Sequence, residues 1–189
     1  MGKSTQAAAL ANRARATGRL VVDCREPGGT ALGERLRDAL FAGEDPPSPL
    51  AELLIFAAAR AQLVGEVIGP ALSSGALVLC DRFADSTTAY QHYGRGVDGA
   101  VVQAVNAAAT DGLTPDLTVL LDMPPRAALA RANANANYME RQNVEFHERV
   151  RAGYLELAQG DPQRWLVLDA MRPVQELSAE IWARLEPLL

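Results

Sequence analysis

The chain has 189 residues, of which 49% are hydrophobic and 22% charged, a composition typical of one soluble globular domain. The formal net charge is −5 and no stretch is dense in Lys or Arg, which argues against a binding surface for nucleic acid. No apolar run reaches the roughly 18 to 20 residues that a membrane span needs, and no signal-peptide pattern is visible, so we expect a cytoplasmic protein without a membrane partner.

Short apolar runs alternate with longer stretches of helical periodicity. The short runs predict buried parallel strands at 20–24, 76–80, 117–122 and 165–169. The longer stretches predict helices at 5–17, 32–41, 49–74, 99–111, 125–135, 140–159 and 174–188. We expect Pro70 to kink or interrupt the third helix before Gly75 stops it. This alternation predicts one α/β domain over residues 1–189, a sandwich with helices on a parallel sheet.

The chain begins Met1-Gly2-Lys3-Ser4-Thr5 and passes directly into a predicted helix. This is the second half of a phosphate-binding loop of the form G-x-x-x-x-G-K-[ST], in which backbone N–H groups hold phosphate oxygens. In that motif the lysine reaches the β- and γ-phosphates and the first hydroxyl residue ligates Mg²⁺. The alternative interpretation is a helix cap formed by Ser4 or Thr5.

Two further motifs follow predicted strands, at the edge where open α/β sheets bind ligands. The segment 25–30 reads Arg-Glu-Pro-Gly-Gly-Thr and forms either a ligand-binding loop or an ordinary tight turn. Asp81 and Arg82 follow the next strand, where a carboxylate can organise Mg²⁺ and a guanidinium can clamp a phosphate. A surface ion pair is the alternative for these two residues.

A second group of side chains is suited to a nucleoside. Phe56 and Arg60 are four residues apart and share one helix face, so the ring can stack under a base while the guanidinium reaches a ring carbonyl. Taken alone, this pair is more often core plus surface. Hydroxyl, amide and guanidinium donors follow at Ser86, Thr87, Tyr90, Gln91 and Arg95.

Together these motifs resemble bacterial thymidylate kinases over nearly the whole chain. The matching segments are Gly2-Lys3-Ser4-Thr5-Gln6, Arg-Glu-Pro-Gly-Gly-Thr at 25–30, Asp81-Arg82-Phe83, Ala89-Tyr90-Gln91, Gly94-Arg95-Gly96 and residues 146–158. The resemblance implies a P-loop kinase fold with three layers, usually assembled as a homodimer. It implies transfer of a phosphoryl group from Mg·ATP to dTMP, giving dTDP.

On the ATP side, the resemblance implies that Gly2, Lys3, Ser4 and Thr5 bind the cofactor, with Lys3 catalytic. Ser4 and Asp81 would serve Mg²⁺. Such a reaction needs positioning and charge neutralisation more than covalent chemistry, and these residue types supply both.

On the dTMP side, the resemblance implies that Arg82 holds the acceptor phosphate as a second catalytic residue, with Arg25 supporting this region. Phe56 would stack on thymine and Arg60 would contact the base. The nucleoside pocket would be lined by Thr87, Tyr90 and Gln91.

The family pattern also starts with a strand and the first glycines of the phosphate loop, upstream of Gly2. A parallel sheet without its central strand would leave two rows of backbone groups unpaired, at about 1 to 3 kcal/mol for each buried orphan. We therefore expect the native protein to extend roughly ten to fifteen residues upstream, enough for one strand and half a loop.

The lid segment, about residues 131–143, departs from the family pattern as well. It contains Asn where arginines are common, and Asn137-Tyr138 stands in place of Asp-Arg. Neutral amides do not neutralise a transferring phosphoryl group as a guanidinium does. Arg131, Arg141 and Arg149 are the candidates for that role, and our hypothesis assigns it to Arg141.

Three functions compete at this point. The first is an ATP-dependent dTMP kinase. The second is a kinase for another nucleoside monophosphate or small molecule on the same fold. The third is a nucleotide-binding protein without catalysis, suggested by the partial phosphate loop and the Asn-rich lid.

Overall fold

Parallel strands lie in two separate pairs. The computed structural model describes residues 2–42, 46–129 and 137–189. In it, β1 (Val21–Arg25) pairs with β2 (Leu77–Asp81), and β3 (Thr118–Asp122) pairs with β4 (Trp165–Asp169). All four segments lie within one residue of their predicted bounds. Short apolar runs predict such strands well, although in β1 the side chains of Asp23 and Arg25 are exposed.

The two pairs are separated by a cavity of about 850 Å³, which is lined along its length by β2 on one side and β3 on the other. Among the described residues no strand joins β2 to β3, so the expected single sheet is present as two ladders. The cavity lies between the facing edges of these two ladders. An additional upstream strand stays a prediction.

The helices occupy the remaining predicted stretches, and residues 84–94 form a further helical segment that the periodicity did not predict. Their bounds are α1 Lys3–Ala16, α2 Ala31–Phe41, α3 Pro49–Leu63, α4 Gly69–Ser73, α5 Ala84–Thr87, α6 Gly99–Thr110, α7 Pro125–Leu129, α8 Val144–Gly160 and α9 Val174–Leu185. Two π-helical segments, Val64–Ile68 and Thr88–Gly94, and a 3₁₀ turn, Glu186–Leu188, extend α3, α5 and α9. Among the described helices none is long and apolar enough to cross a membrane.

One helix prediction is confirmed in detail and another needs correction. The expected interruption of the helix at 49–74 is the π-helical segment Val64–Ile68, where the Gly69 N–H donates to the Val64 carbonyl and so widens the turn next to Pro70. A proline has no N–H and clashes with a regular turn, which explains this position. The predicted start at residue 140 is four residues too early, because the Asn143 side chain accepts from the Phe146 N–H and caps α8 there.

Two apolar clusters fix the helices against the strands. In the first, Leu10 of α1 and Ile181 and Trp182 of α9 pack with Leu168 of β4. In the second, Phe146 and Val150 of α8 pack on Ala89 of the π-helical segment Thr88–Gly94. The second cluster holds α8 beside the residues that follow β2, which carry most of the predicted nucleoside side chains.

Candidate active site

The carboxyl ends of β1 and β2 carry two of the sequence motifs side by side. Arg25 and Asp81 are partners in the parallel register, and the Glu26 N–H donates to the Asp81 carbonyl at 3.1 Å. The chain then turns through a cis peptide bond between Glu26 and Pro27. The structure thus brings the loop 25–30 and the Asp81-Arg82 pair to one edge, as expected of parallel strands.

Glu34 of α2 closes the loop 25–30. Its Oε1 accepts from the Gly29 N–H at 2.8 Å, and the Arg25 Nη2 lies 3.0 Å from both carboxylate oxygens. The Gly29 N–H and then the Arg25 charge lower the pKa of Glu34. Gly28 has a φ of 132°, and a Cβ there would lie 2.6 Å from the Glu34 Oε1. The backbone conformation therefore requires the glycine, and a side chain there would also displace the Glu34 carboxylate.

The start of α1 faces this edge. Gly2 has a φ of 88°, and Lys3 and Ser4 are exposed in the first turn of a 14-residue helix. The Lys3 Nζ lies 4.0 Å from the Asp81 Oδ1. Free N–H groups and the helix dipole make such a terminus suited to phosphate, and Lys3 adds a full positive charge.

Asp81 offers an oxygen that suits a hard cation. Its Oδ1 is buried and receives no hydrogen bond from a described residue. Within the described ranges, no group of three or more His, Cys, Asp or Glu side chains is arranged to hold a metal. Magnesium is commonly held by one or two carboxylates together with water and substrate phosphates, so Asp81 with the Ser4 hydroxyl fits that ion.

Arg82 is the next residue and has an unusual backbone conformation. Its φ is 75°, a left-handed conformation that costs on the order of 1 to 3 kcal/mol for a residue with a side chain and is concentrated at functional sites. The Arg82 Nη2 lies 3.4 Å from the Tyr90 hydroxyl, and its guanidinium lies 5.0 Å from the Tyr90 ring centroid. Tyr90 raises the pKa of Arg82, so the side chain stays cationic.

The cavity between β2 and β3 collects several of these side chains. Lys3, Asp81, Arg82 and Tyr90 all contribute to its lining. A lysine, an arginine and a carboxylate around one cavity at the carboxyl end of parallel strands can bind phosphate and a divalent cation together. The structure thus brings together Lys3, Asp81 and Arg82. Ser4 lies next to Lys3 in the chain but is not part of the lining, and the guanidinium of Arg25 is paired with Glu34.

Arg60 lies outside that lining, in a buried polar cluster. It is 1% exposed; its Nε and Nη2 donate to the Glu26 carboxylate at 2.6 to 3.1 Å. Its Nη2 also donates to the Thr87 Oγ1 at 2.8 Å, and its Nη1 donates to the Asn106 Oδ1 at 2.9 Å. Burial raises the pKa of Glu26, and the charge of Arg60 opposes this shift.

This cluster unites two residues predicted for nucleoside binding, Arg60 and Thr87, and adds two that sequence reasoning missed. Glu26 was visible as part of the Arg-Glu-Pro-Gly-Gly-Thr motif, but nothing in the motif indicated a partner 34 residues away. Asn106 lies on α6 without any motif around it.

Gln91 belongs to a second buried polar cluster, centred on Glu52 of α3. The Gln91 Nε2 donates to the Glu52 Oε1 at 2.8 Å, and both side chains are at most 1% exposed. Arg95 and Tyr138 also bond to Glu52. Sequence reasoning missed Glu52, although its position one helical turn before Phe56 places it on the same helix face.

The other predicted residues belong neither to the cavity lining nor to the two buried polar clusters. Phe56 is half buried on α3, and Thr5 is exposed at the start of α1. Arg141 is exposed in the turn before α8, whereas the Arg149 Nη2 is bonded to the Gly94 carbonyl at 3.0 Å. Arg131 and residues 130–136 of the predicted lid lie outside the described residues.

An α/β fold with these charged side chains at the carboxyl ends of parallel strands, and a lysine in the first turn of the adjoining helix, defines a phosphotransferase of the P-loop nucleotide kinase class. The family model described as thymidylate kinase matches residues 1–181. The chain belongs to the thymidylate kinase family.

Similar proteins extend this assignment over the full length. A thymidylate kinase of Deinococcus radiodurans is 51% identical over 184 residues, covering 96% of this chain and 89% of that protein. One from a Synechococcus species is 50% identical over 189 residues, covering 100% and 91% of the two chains. The crystal structure of the Ehrlichia chaffeensis thymidylate kinase superposes with a TM-score of 0.81 at 33% identity, covering 98% of this chain and 92% of that one. The P-loop kinase fold expected from the motifs is thereby confirmed.

Proposed function

We propose that this chain catalyses ATP-dependent phosphorylation of dTMP to dTDP, a step in dTTP biosynthesis. The observation that carries the proposal is the convergence of Lys3, Asp81 and Arg82 on one cavity in a member of the thymidylate kinase family. In the reaction, an oxygen of the dTMP phosphate bonds to the γ-phosphorus of ATP, the bond from that phosphorus to the bridging oxygen breaks, and ADP leaves.

The ATP phosphates bind at the start of α1. The backbone from Gly2 to Thr5 presents N–H groups, and Lys3 neutralises the β- and γ-phosphates. The orphaned Asp81 Oδ1 and the Ser4 hydroxyl supply hard oxygen ligands for Mg²⁺. That ion, when bound, neutralises charge on the phosphate oxygens.

The dTMP phosphate binds to Arg82, which Tyr90 holds beside the same cavity. Arg25 lies at the adjacent strand end and supports this region. A guanidinium suits a phosphate because it donates two parallel hydrogen bonds.

The thymine base is recognised by the side chains of α3 and of the segment following β2. Phe56 stacks on the ring, while Thr87 and Gln91 line the pocket with Tyr90. Arg60 has five N–H groups, and four bonds to described residues leave one Nη1 N–H for a base carbonyl.

Arg141 is proposed to complete the site as the catalytic lid arginine. It is exposed, so its guanidinium is free to approach a bound phosphate. Replacing a finger-type arginine costs about 10³-fold or more in rate. We expect Arg141→Ala to lower kcat on this scale, with Arg149→Ala as the comparison because Arg149 is bonded to Gly94. An unchanged kcat in Arg141→Ala would remove Arg141 from the mechanism.

Assembly and location are part of the proposal. We propose a homodimer, as the family resemblance implies, and a location in the cytoplasm, because no apolar run of the sequence reaches the length of a membrane span. Sedimentation of the purified chain tests the assembly, and a single species of monomer mass at micromolar concentration would contradict it.

The central experiment measures ADP formation from Mg·ATP with dTMP, using dUMP, CMP and AMP as comparison acceptors. We expect turnover that is selective for dTMP. Selective turnover of another acceptor would favour the second sequence-based hypothesis. Binding of dTMP without turnover would revive the non-catalytic alternative, which no observation on the described residues favours.

A further inference from the structure

Glu52 is a fully buried carboxylate that none of the proposed catalytic or binding roles uses. It lies on α3, one turn before Phe56, and is 0% exposed. Its Oε1 accepts from the Gln91 Nε2 at 2.8 Å and from the Arg95 Nε at 3.2 Å. Its Oε2 accepts from the Arg95 Nη2 at 3.1 Å and from the Tyr138 hydroxyl at 2.6 Å. A buried carboxylate with this many donors is held rigidly.

The bond from Gln91 to Glu52 fixes the direction of the Gln91 amide. An ionised carboxylate only accepts hydrogen bonds, so the amide must turn its NH₂ group towards Glu52. The Gln91 Oε1 then faces away from Glu52, and no described residue donates a hydrogen bond to it. Gln91 is thereby presented as an acceptor on the side opposite Glu52.

Arg95 holds the Glu52 carboxylate in place. Its guanidinium forms two bonds to Glu52 and lies 5.0 Å from the Phe146 ring centroid and 5.7 Å from that of Tyr138. Both of these bonds are donated to the carboxylate oxygens, which therefore act as acceptors. Tyr138 adds a fourth hydrogen bond and connects the same carboxylate to the described part of the predicted lid.

We propose that Glu52 is a positioning residue that makes Gln91 selective for a pyrimidine whose ring nitrogen N3 carries a hydrogen. Thymine and uracil present an N–H donor at N3, whereas cytosine presents an acceptor there. A Gln91 amide held with its Oε1 outward accepts from the first two bases and opposes the third. The inference rests on the proposed function, because it assigns a specificity role within the same acceptor pocket.

The variant Glu52→Gln tests this inference. The introduced amide has nearly the same size as the carboxylate but carries an NH₂ group, which can donate to the Gln91 Oε1 and so permits the Gln91 amide to reverse. We expect the KM for dTMP to rise about tenfold or more, since bonds to a charged group are lost, while the KM for ATP is unchanged. We also expect the ratio of kcat/KM for dTMP over dCMP to fall. A purely structural role would lower the melting temperature without changing this ratio.

Two further variants keep the test decisive if Glu52→Gln folds poorly. Gln91→Ala leaves the bonds of Glu52 to Arg95 and Tyr138 and should reduce dTMP selectivity to the same extent. Tyr138→Phe removes one bond from Glu52 but leaves Gln91 in place and should keep the selectivity. Glu180→Gln, on the exposed face of α9, is the control for loss of a carboxylate.

The outcomes separate the inference from the proposed function. If the unaltered chain does not bind dTMP in calorimetry, the proposed function fails. If it binds dTMP selectively and both Glu52→Gln and Gln91→Ala keep that selectivity, the inference about Glu52 is wrong while the proposed function stands. Additivity of the two substitutions in the double variant would also contradict it, because residues that act through one another are coupled.

Discussion

The two halves of the candidate site differ in how they are held. On the acceptor side, Arg60 and Glu52 are buried and each is bonded to at least three side chains. On the ATP side, Lys3 and Ser4 are exposed, and the carboxylate that Lys3 approaches, Asp81, lies 4.0 Å away. The acceptor side is organised by bonds within the protein, whereas the ATP side leaves its charged groups available to a ligand.

This difference has a physical origin. Buried charges require partners, so the acceptor side is a hydrogen-bonded network whose geometry persists without substrate. Exposed charges at a helix start stay solvated until a phosphate replaces water. Substitutions on the acceptor side should therefore alter both stability and binding, and those on the ATP side should alter turnover alone.

The largest effect on stability is expected from Arg60→Met. The substitution leaves Glu26 buried without a cation, which typically costs about 3 to 5 kcal/mol in the free energy of unfolding. Urea denaturation measures this loss. The double variant Glu26→Gln with Arg60→Met should recover part of it, because the unpaired charge is then gone. Equal stability of the single variant and the unaltered chain would show that this cluster does not organise the acceptor side.

Lys3→Ala tests the ATP side of the comparison and should lower turnover without lowering stability. Removing one donor aimed at developing charge lowers kcat by about 100- to 1,000-fold. The melting temperature should change little, because Lys3 is exposed and its ion pair with Asp81 is long, at 4.0 Å. Lys3→Arg is the matched variant that keeps the charge. A large drop in melting temperature with Lys3→Ala would contradict a ligand-organised ATP side.

The sequence predicted the features that depend on local patterns. Strand positions followed from short apolar runs between stretches of helical periodicity, and the convergence of residues 25–30 with Asp81 and Arg82 followed from parallel strands sharing one edge. The motif order indicated the family, which the comparisons confirmed. The start of α8 was misplaced because helical periodicity continued upstream of the Asn143 cap.

Local sequence patterns did not predict which polar side chains bond to each other across long sequence separations. Glu52 is 39 residues from Gln91 and 86 from Tyr138, and no local pattern joins them. A carboxylate inside the otherwise apolar run 49–59 was the available signal, since burial of an unpartnered charge is unfavourable and implies a cation or donors nearby. The identity of those donors depends on tertiary packing.

The smallest effect concerns Glu34, which holds the loop between the two halves. Its pKa is lowered in the folded chain, first by the Gly29 N–H and then by Arg25. A carboxylate with a lowered folded pKa stabilises the fold above its unfolded pKa of about 4.3, and this contribution disappears as the pH falls through the folded value. Glu34→Gln should therefore melt slightly below the unaltered chain at pH 7, and the two melting temperatures should converge in acid below about pH 4.

The control is Glu180→Gln on α9, which also removes an exposed partner of an arginine, Arg172, but no acceptor of a backbone N–H. Surface ion pairs contribute only about 0 to 1 kcal/mol, so this control should melt close to the unaltered chain at every pH. A larger pH-dependent difference for Glu34→Gln assigns the effect to the Gly29 bond and hence to the loop. If both variants behave alike, Glu34 is an ordinary surface partner of Arg25, and the loop is held by the cap at Thr30 and by the bonds of Arg60 to Glu26 and of Arg37 to the Pro27 carbonyl.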